Sequence, residues 1–400
     1  MPAILEVART GLAAILLHPL RSVVTAASLV VILLPYLVGL GLSKGIQHEA
    51  EASVRFGADL YVTGEQFGRT VPIPVDATKE IKQIDGVTGV TKRIIGAITL
   101  GTYREPAVVV GIPRDKFPTA VSCVEGRLYN EQRTGNLQEL VIGTELARRL
   151  ALKVGSTIPG FSSGDQPLYL CEIVGIFKTD VSMWQANVVF TSFDTAEHIF
   201  NQKGLATDLL VTCRTGYQDN VRADIARQVK FATRPGEGNL RARVTTREDL
   251  EALLPRGLMH REGIFTLHFV LAFAVGILVV LVTSGVGLSE RRREIGILKA
   301  TGWQTDEVLL RSLVESFLLS LLAASVSILL AYAWLKWLNG YWIAGVFVAA
   351  VDAVPGFPVP FRLAPVPVLL AFVISFAVVM SGTLYSSWRA ATVAPMEAMR

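Results

Sequence analysis

Residues 22–43, 265–288, 312–335 and 366–388 contain no Asp, Lys or Arg and a single Glu, Glu315. Nothing else in the chain limits its fold so strongly. A helix rises about 1.5 Å per residue, so roughly 20 apolar residues cross the ~30 Å hydrocarbon core of a bilayer. Each window is long enough. One such window could be a helix buried in a large soluble core, but four in one chain point to a membrane. Composition agrees: 51% of residues are hydrophobic and 18% charged, against about 25% charged in a typical soluble domain.

The first window differs from a secretory leader. Arg9 and Arg21 form a long charged lead-in, and no A-x-A-like site follows the apolar run. That run also exceeds the about 7–15 residues of a leader's apolar region. An uncleaved spanning helix is expected. Before it, Ile4, Leu5, Ala8, Leu12, Ile15 and Leu16 recur at helical spacing. They predict a short amphipathic helix on the inner surface, broken from the span at Pro19. The basic flanks set the orientation. Arg9, Arg21, Arg291, Arg292, Arg293, Lys299, Arg389 and Arg400 share one side if the chain crosses four times, which places both termini in the cytoplasm. The net charge of +4 is then mostly a topology signal and does not indicate nucleic acid.

Residues 44–261 lie outside in this topology. Strands are expected over 107–112, 139–143, 168–177, 187–190 and 209–213. Helices are expected over 144–150, with Thr144 as N-cap, over 194–201, and over 219–230 with Val221, Ile225 and Val229 on one face. The alternation argues for an α+β or split βαβ domain. Glycine-rich 155–164 and 236–238 read as turns or loops.

The densest charge in the second half is Ser289-Glu290-Arg291-Arg292-Arg293-Glu294-Ile295-Gly296-Ile297-Leu298-Lys299-Ala300-Thr301-Gly302-Trp303. Lying directly after an apolar window, it must be a short loop at a membrane surface. Its pattern Glu-Arg-x-x-Glu-Ile-Gly-x-x-x-Ala-x-Gly resembles the cytoplasmic coupling segment of FtsX-like permeases, the membrane subunits of macrolide-exporter-type (MacB-type) ABC transporters. The outer stretch is similar to the periplasmic core domain of the same family. Glu125-Gly126-Arg127, Val141-Ile142-Gly143-x-Glu145-Leu146-Ala147, Leu152-Lys153-Val154-Gly155-Ser156 and Ile173-Val174-Gly175-Ile176 occur in the family's order. With the ending Ala394-Pro395-Met396-Glu397-Ala398-Met399-Arg400, the resemblance covers nearly the whole chain.

The resemblance implies transport-related work driven by an ATPase outside this chain. No G-x-x-x-x-G-K-[ST] loop is present to cradle phosphates. ATP and Mg are therefore expected on a partner ABC ATPase subunit, with no cofactor in this chain. Ile295, Leu298 and Gly302 are expected along one side of a helix that seats in a groove of that ATPase. Arg291, Arg292, Arg293, Glu294 and Lys299 would pair with its rim, and Gly296 and Ala300 complete the coupling set. The plainer reading is a topology anchor that touches only lipid headgroups. Glu315, the acid inside a span, is expected to tie the third span to the coupling helix or to Arg311 one turn earlier. A substrate or proton site is the alternative. Gly39, Gly41, Gly276, Ser284, Gly285 and Gly287 permit close helix contacts, equally well in a dimer or within one subunit.

An enzyme finds little support. His18, His48, His198, His260 and His268 form no H-x-x-x-H or H-E-x-x-H pair. Cys123, Cys171 and Cys213 have no C-x-x-C spacing, so zinc and redox motifs are absent. A Cys171–Cys213 bridge and two buried free thiols are the alternatives. Trp184, Met183 and Phe161 offer an apolar contact outside, or simply a domain core.

The expected fold is an α-helical membrane protein with four transmembrane helices plus a large α+β extracytoplasmic domain between helices 1 and 2. Its boundaries are an amphipathic helix 1–21, spans 22–43, 264–288, 309–338 and 365–388, the MacB-like core domain 44–261, a coupling segment 289–308, a short outer loop 339–364 and a cytoplasmic tail 389–400. The resemblance implies a multi-pass permease of the cell inner (cytoplasmic) membrane. It would act by mechanotransmission in a dimer, with a second copy or a sister permease, two ATPase subunits and a periplasmic adaptor protein. Export or extraction of an amphipathic substrate is the first function expected. Activation of an extracytoplasmic partner such as a cell-wall hydrolase is the second. A membrane-anchored binding protein with no ATPase is the third.

Overall fold

The structure, a computed structural model, describes residues 13, 15, 17, 19–55, 57–102, 105–131, 137–161, 169–229, 231, 240–285, 288–347 and 357–392. The side chains of 21, 161, 254–262, 281, 283–285, 288–292, 294 and 382–392 lie outside the description. So do most of the surface helix expected over 1–21, the glycines at 236–238, Gly287 and the 394–400 ending.

Helix α1 spans Pro19–Arg55, and the described residues 13, 15 and 17 before it are also helical. A strand-rich region follows: β1 (Leu60–Gln66), β2 (Arg69–Val71), β3 (Ile73–Pro74), α2 (Ala77–Lys82), β4 (Val87–Leu100), β5 (Glu105–Gly111), β6 (Val121–Gly126), β7 (Leu137–Gly143) and α3 (Thr144–Arg149). It continues through β8 (Thr157–Phe161), β9 (Tyr169–Thr179), α4 (Ser182–Asn187), β10 (Val188–Thr191), α5 (Phe193–Ile199), β11 (Leu205–Ala206), β12 (Asp208–Cys213), α6 (Gln218–Gln228) and β13 (Arg241–Thr246). Helices α7 (Arg247–Gly285), α8 (Leu288–Ala300), α9 (Thr305–Trp337), α10 (Ala344–Phe347) and α11 (Pro365–Thr392) come after it. The chain forms two compact units. One comprises Met1–Ile46, Leu258–Pro355 and Phe361–Arg400, and the other Gln47–Gly257 with Gly356–Pro360.

The second unit is built on an 11-stranded mixed sheet, ordered β13-β1-β12-β4-β5-β10-β7-β9-β6, with β2 and β8 off that path. β10 runs parallel to β5 and β7 parallel to β9; the other pairs are antiparallel. β4 belongs to two neighbourhoods. Its first half pairs with β12 through Arg93↔Asp208, and its second half with β5 from Ile94↔Gly111 onward. Alternation along β4 sends Val90, Ile94, Ile98 and Leu100 to one face, where they are buried. Ile81 of α2 and Val221 and Ile225 of α6 cover the β1–β12–β4 part of that face. Leu146 and Ala147 of α3 and Ile199 of α5 cover the β4–β5–β7–β9 part. A third cluster, with Tyr129, Phe177 and Phe190, joins Val141 and Val174.

The expected strands are found within a few residues of their places. The helix expected at 144–150 starts differently: Gly143 holds the N-cap position, and the Thr144 hydroxyl bonds to Gln185 instead of capping. A Cβ at Gly143 would lie 2.1 Å from the Gln185 carbonyl oxygen, so the chain passes too close there for any side chain.

In the helical unit, three helices among the described residues are long and apolar enough to cross a bilayer: Ser22–Arg55, Gly263–Val280 and Thr305–Trp337. The fourth apolar window is helical within Pro365–Thr392, and its described apolar stretch is Pro365–Ser381. α1 extends beyond the expected 22–43 at both ends, and α7 begins at Arg247, well before the expected 264. Leu29 of α1, Val280 of α7, Ala323 of α9 and Val378 and Val379 of α11 form a buried apolar cluster, and α9 packs mostly through small residues. Ser312, Ser316, Ser320, Ala323, Ala324, Ser327 and Ala331 form the buried stripe of α9, and the Ser375 hydroxyl of α11 donates to the Ser320 carbonyl (3.0 Å). A Cβ at Gly276 would sit 2.3 Å from Ile32, one at Gly39 2.7 Å from Phe265, and one at Gly41 3.0 Å from Leu335. These three glycines therefore serve contacts inside one chain.

Candidate functional site

The charged segment between α7 and α9 folds as α8 and a tight turn. α8 ends in two crossed backbone bonds: Gly302 N–H to the Lys299 carbonyl and Trp303 N–H to the Leu298 carbonyl, each 3.1 Å. This is the Schellman pattern, which needs a left-handed residue at its corner. Gly302 supplies it, with φ of +99° and open space where a Cβ would stand. α9 then starts with a capping box, in which the Glu307 carboxylate accepts the Gln304 N–H (2.9 Å) while the Gln304 side chain accepts from the third helical residue. A stop signal at Gly302 and a start signal at Gln304, two residues on, fix a short helical hairpin.

Its residues divide into an inner and an outer set. Ile295 is 4% exposed and packs with Val308 and Trp303. Gly296 is buried, Leu298 and Lys299 are half-buried, and Arg293, Ala300 and Gly302 are exposed. The expectation that Ile295, Leu298 and Gly302 share one side of a helix is corrected in two respects. Gly302 lies beyond the helix end, because its φ is not helical, and Ile295 faces its own chain. The apolar side chain turned outward is Ile297, 50% exposed; sequence spacing alone does not distinguish it from Ile295. Arg291, Arg292 and Glu294 lie on α8, with side chains outside the described residues. α8 rests against both α9 and α11. Glu315 is half-buried on α9, one turn after Arg311, between buried Ser312 and Ser316.

The sheet unit has its own polar anchors. Glu49, near the end of α1, accepts the backbone N–H groups of Ser182 (3.1 Å) and Met183 (3.0 Å) at the start of α4. It satisfies amides that have no partner inside their own helix. The Asp59 carboxylate accepts the Cys213 N–H and the Arg247 guanidinium, joining β12 to the start of α7. Glu139 on β7 accepts both Arg127 nitrogens (2.7 and 3.0 Å) and the backbone and side-chain N–H groups of Asn130. The Arg127 bonds hold its carboxyl below the usual carboxylate range, against the opposing effect of burial.

The three cysteines are free thiols. Cys171 lies in the β4–β5–β7–β9 core and Cys213 packs against the β1–β12–β4 core. Burial pushes the Cys171 thiol up to about 12, and burial with the nearby Asp59 charge pushes Cys213 up to about 11. Neither suits nucleophilic or redox chemistry. Among the described residues, no cluster of three or more His, Cys, Asp or Glu could hold a metal.

Comparison with known proteins places both units. Residues 23–228 match the MacB-like periplasmic core domain family, and residues 267–395 match the FtsX-like permease C-terminal family. An uncharacterized ABC transporter permease of Methanocaldococcus jannaschii is 26% identical over 333 residues, 78% of each chain. Among solved structures, the periplasmic region of MacB from Actinobacillus actinomycetemcomitans aligns with a TM-score of 0.36 at 12% identity, covering 50% of this chain and 95% of that one. The extracellular domain of the noncanonic ABC-type transporter YknZ from Gram-positive bacteria aligns with a TM-score of 0.31 at 14% identity, covering 41% and 88%.

Proposed function

The chain belongs to the family of permeases that join a MacB-like periplasmic core domain to an FtsX-like C-terminal domain, and from that premise we propose that it couples ATP hydrolysis on a separate ABC ATPase to movement of its outer domain, exporting or extracting an amphipathic substrate. Four helices cross the inner membrane in this reading, with both termini and α8 in the cytoplasm, and the subunit works in a dimer. The observation that supports it best is the α8 hairpin. A cytoplasmic contact has to transmit force, and a helix with a Schellman stop followed at once by a capped start does not fray under load. Exposed Ile297 supplies an apolar seat for the ATPase, and Arg293 lies on the rim beside it. Ile295 holds the hairpin to α9 through Val308. ATP and Mg bind the partner, so this chain performs no chemistry.

The test is co-purification from native membranes, followed by mass spectrometry for a P-loop ATPase. Wild type is compared with Ile297→Asp, Arg293→Glu and Glu294→Lys. The expected result is ATPase bound to wild type and lost from the variants, with membrane insertion intact. A wild type that holds no ATPase would overturn the permease role in favour of a membrane-anchored binding protein. Retention of ATPase by all three variants would move the contact away from α8. An assembled complex whose ATPase ignores amphiphiles, but whose loss silences a cell-wall hydrolase, would replace export by signalling.

A further inference from the structure

The sheet of the outer domain has one face covered by α2, α3, α5 and α6, and a second face that is covered only in part. On that second face a cavity of about 420 Å³ opens across the junction of β12, β4, β5 and β10. Its size falls within the roughly 300–1,000 Å³ range of small-molecule sites. The floor follows from strand alternation: Thr91, Arg93 and Ile95 are the β4 residues that point away from Val90 and Ile94. Val108 and Val110 of β5 continue it. Val108 is 37% exposed, an aliphatic side chain that nothing in the sheet unit covers. Tyr61, Trp184 and Phe190 form aromatic walls. Phe190 is fixed by edge contacts to Phe177 and Trp184.

The charge of the lining is one-sided. Two cations, Arg93 and Lys116, reach it, and none of the described lining residues is acidic. Arg93 is locked by two bonds to Asp208, Nε–Oδ1 at 2.9 Å and Nη2–Oδ2 at 2.6 Å. Burial alone would lower its pKa, but the Asp208 charge and hydrogen bonds hold it raised. It remains a fixed cation whose Nη1 makes no hydrogen bond among the described residues. Lys116 is exposed, and its contact with exposed Asp115 (3.4 Å) is of the weakly held surface kind.

We propose that this cavity binds a single-chain amphiphile with an anionic head: the tail lies along Ile95, Val108 and Val110 between the aromatic walls, and the head meets Lys116 and the free edge of Arg93. A purely apolar molecule would set no anion against Lys116 and the open edge of Arg93, and a polar one would waste the walls. The cavity deepens the export reading, on which its role in transport rests. Binding itself needs neither ATP nor ATPase, so a failure of binding and a failure of coupling are separable.

The test uses the whole chain in nanodiscs, photolabelled with a diazirine analogue of dodecanoic acid and mapped by mass spectrometry. Adducts are expected on peptides carrying residues 105–111 and 182–191, suppressed at least fivefold by unlabelled dodecanoate and much less by dodecanamide. Val108→Trp, which fills the floor, should abolish them. Leu210→Trp, on the β12 side, provides the same test if the first variant unfolds. Lys116→Glu should reduce labelling about fivefold. Adducts confined to the membrane helices, or labelling indifferent to both tryptophans, would overturn the site. Equal competition by dodecanoate and dodecanamide would overturn the anionic head.

Discussion

The sheet unit of this protein and its helix α9 bury different kinds of side chain. The sheet unit hides its largest aliphatic and aromatic groups: Leu60, Ile73, Ile94, Leu100, Phe177 and Phe193 are at most 1% exposed. Helix α9 hides mostly serines and alanines, with Val308, Leu319 and Leu335 beside them, and turns Phe317, Leu322, Leu329 and Trp337 outward, while α1 in the same unit buries Leu29, Leu33, Leu37 and Leu42. In water the sheet gains roughly 25 cal/mol for each Å² of apolar surface it buries. Hydrocarbon offers no such gain, since lipid tails are as apolar as leucine, so helices there associate through close backbone approach and interhelical hydrogen bonds. α9 therefore follows a different packing rule from the sheet, and identical substitutions should have different effects in the two.

Leucine truncation breaks the comparison most directly. Leu60→Ala in the sheet should cost about 2–5 kcal/mol, read as lost hydrogen-exchange protection of β1 and β12. Leu321→Ala on α9, which is 42% exposed, should change the melting of the protein in nanodiscs by less than the equivalent of about 0.5 kcal/mol. Equal effects would mean that another surface covers the outward face of α9.

Enlargement sharpens the rule from the other side. Ser327→Leu makes α9 more apolar, yet it should destabilise by about 1–3 kcal/mol through overpacking, because Ser327 is fully buried. A stabilised variant would show that hydrophobicity, not fit, governs these helices.

Glu139 tests the sheet unit through pH. Its folded pKa is depressed below the ordinary 4.5, with the Arg127 bonds as the largest cause. The unfolded chain then binds the extra proton first, so this contribution is present above pH 4.5 and is lost as pH falls through the folded value. Glu139→Gln should cost about 1.5 kcal/mol at pH 7 and flatten the acid side of the stability profile. An unchanged profile would show that the Arg127 pair is broken in solution.

Gly302→Ala should have the smallest effect, about 1 kcal/mol for a left-handed alanine. A Cβ there meets open space, so only the backbone conformation is charged for. Faster exchange of the Gly302 and Trp303 amides, with α9 unchanged, is the expected signature.

The parts legible in the sequence follow the same division. Lipid imposes one demand on every residue of a span, so the apolar windows stood out without a structure. Strand β4 did not. Gly89 and Gly96 interrupt its alternation, and Lys92-Arg93 suggests a solvated turn. The reasons lie far along the chain: a Cβ at Gly96 would strike the Phe200 ring at 2.3 Å, and Arg93 is matched by Asp208 on β12. In the α8 hairpin, the charge run marked a break between two apolar windows, which the structure forms as a helix and a turn. Which isoleucine faces outward depends on the packing of α8 against Val308 and Trp303, contacts that spacing within the segment does not encode.

No loop separates the β12 and β5 neighbourhoods of the outer domain. One uninterrupted strand serves both, changing partners between Arg93 and Ile94. The two halves of the sheet are therefore joined by the backbone of β4 itself, at the point between the two ladders. The cavity straddles the point where that strand changes partners, so any bend or twist of β4 there would change its width.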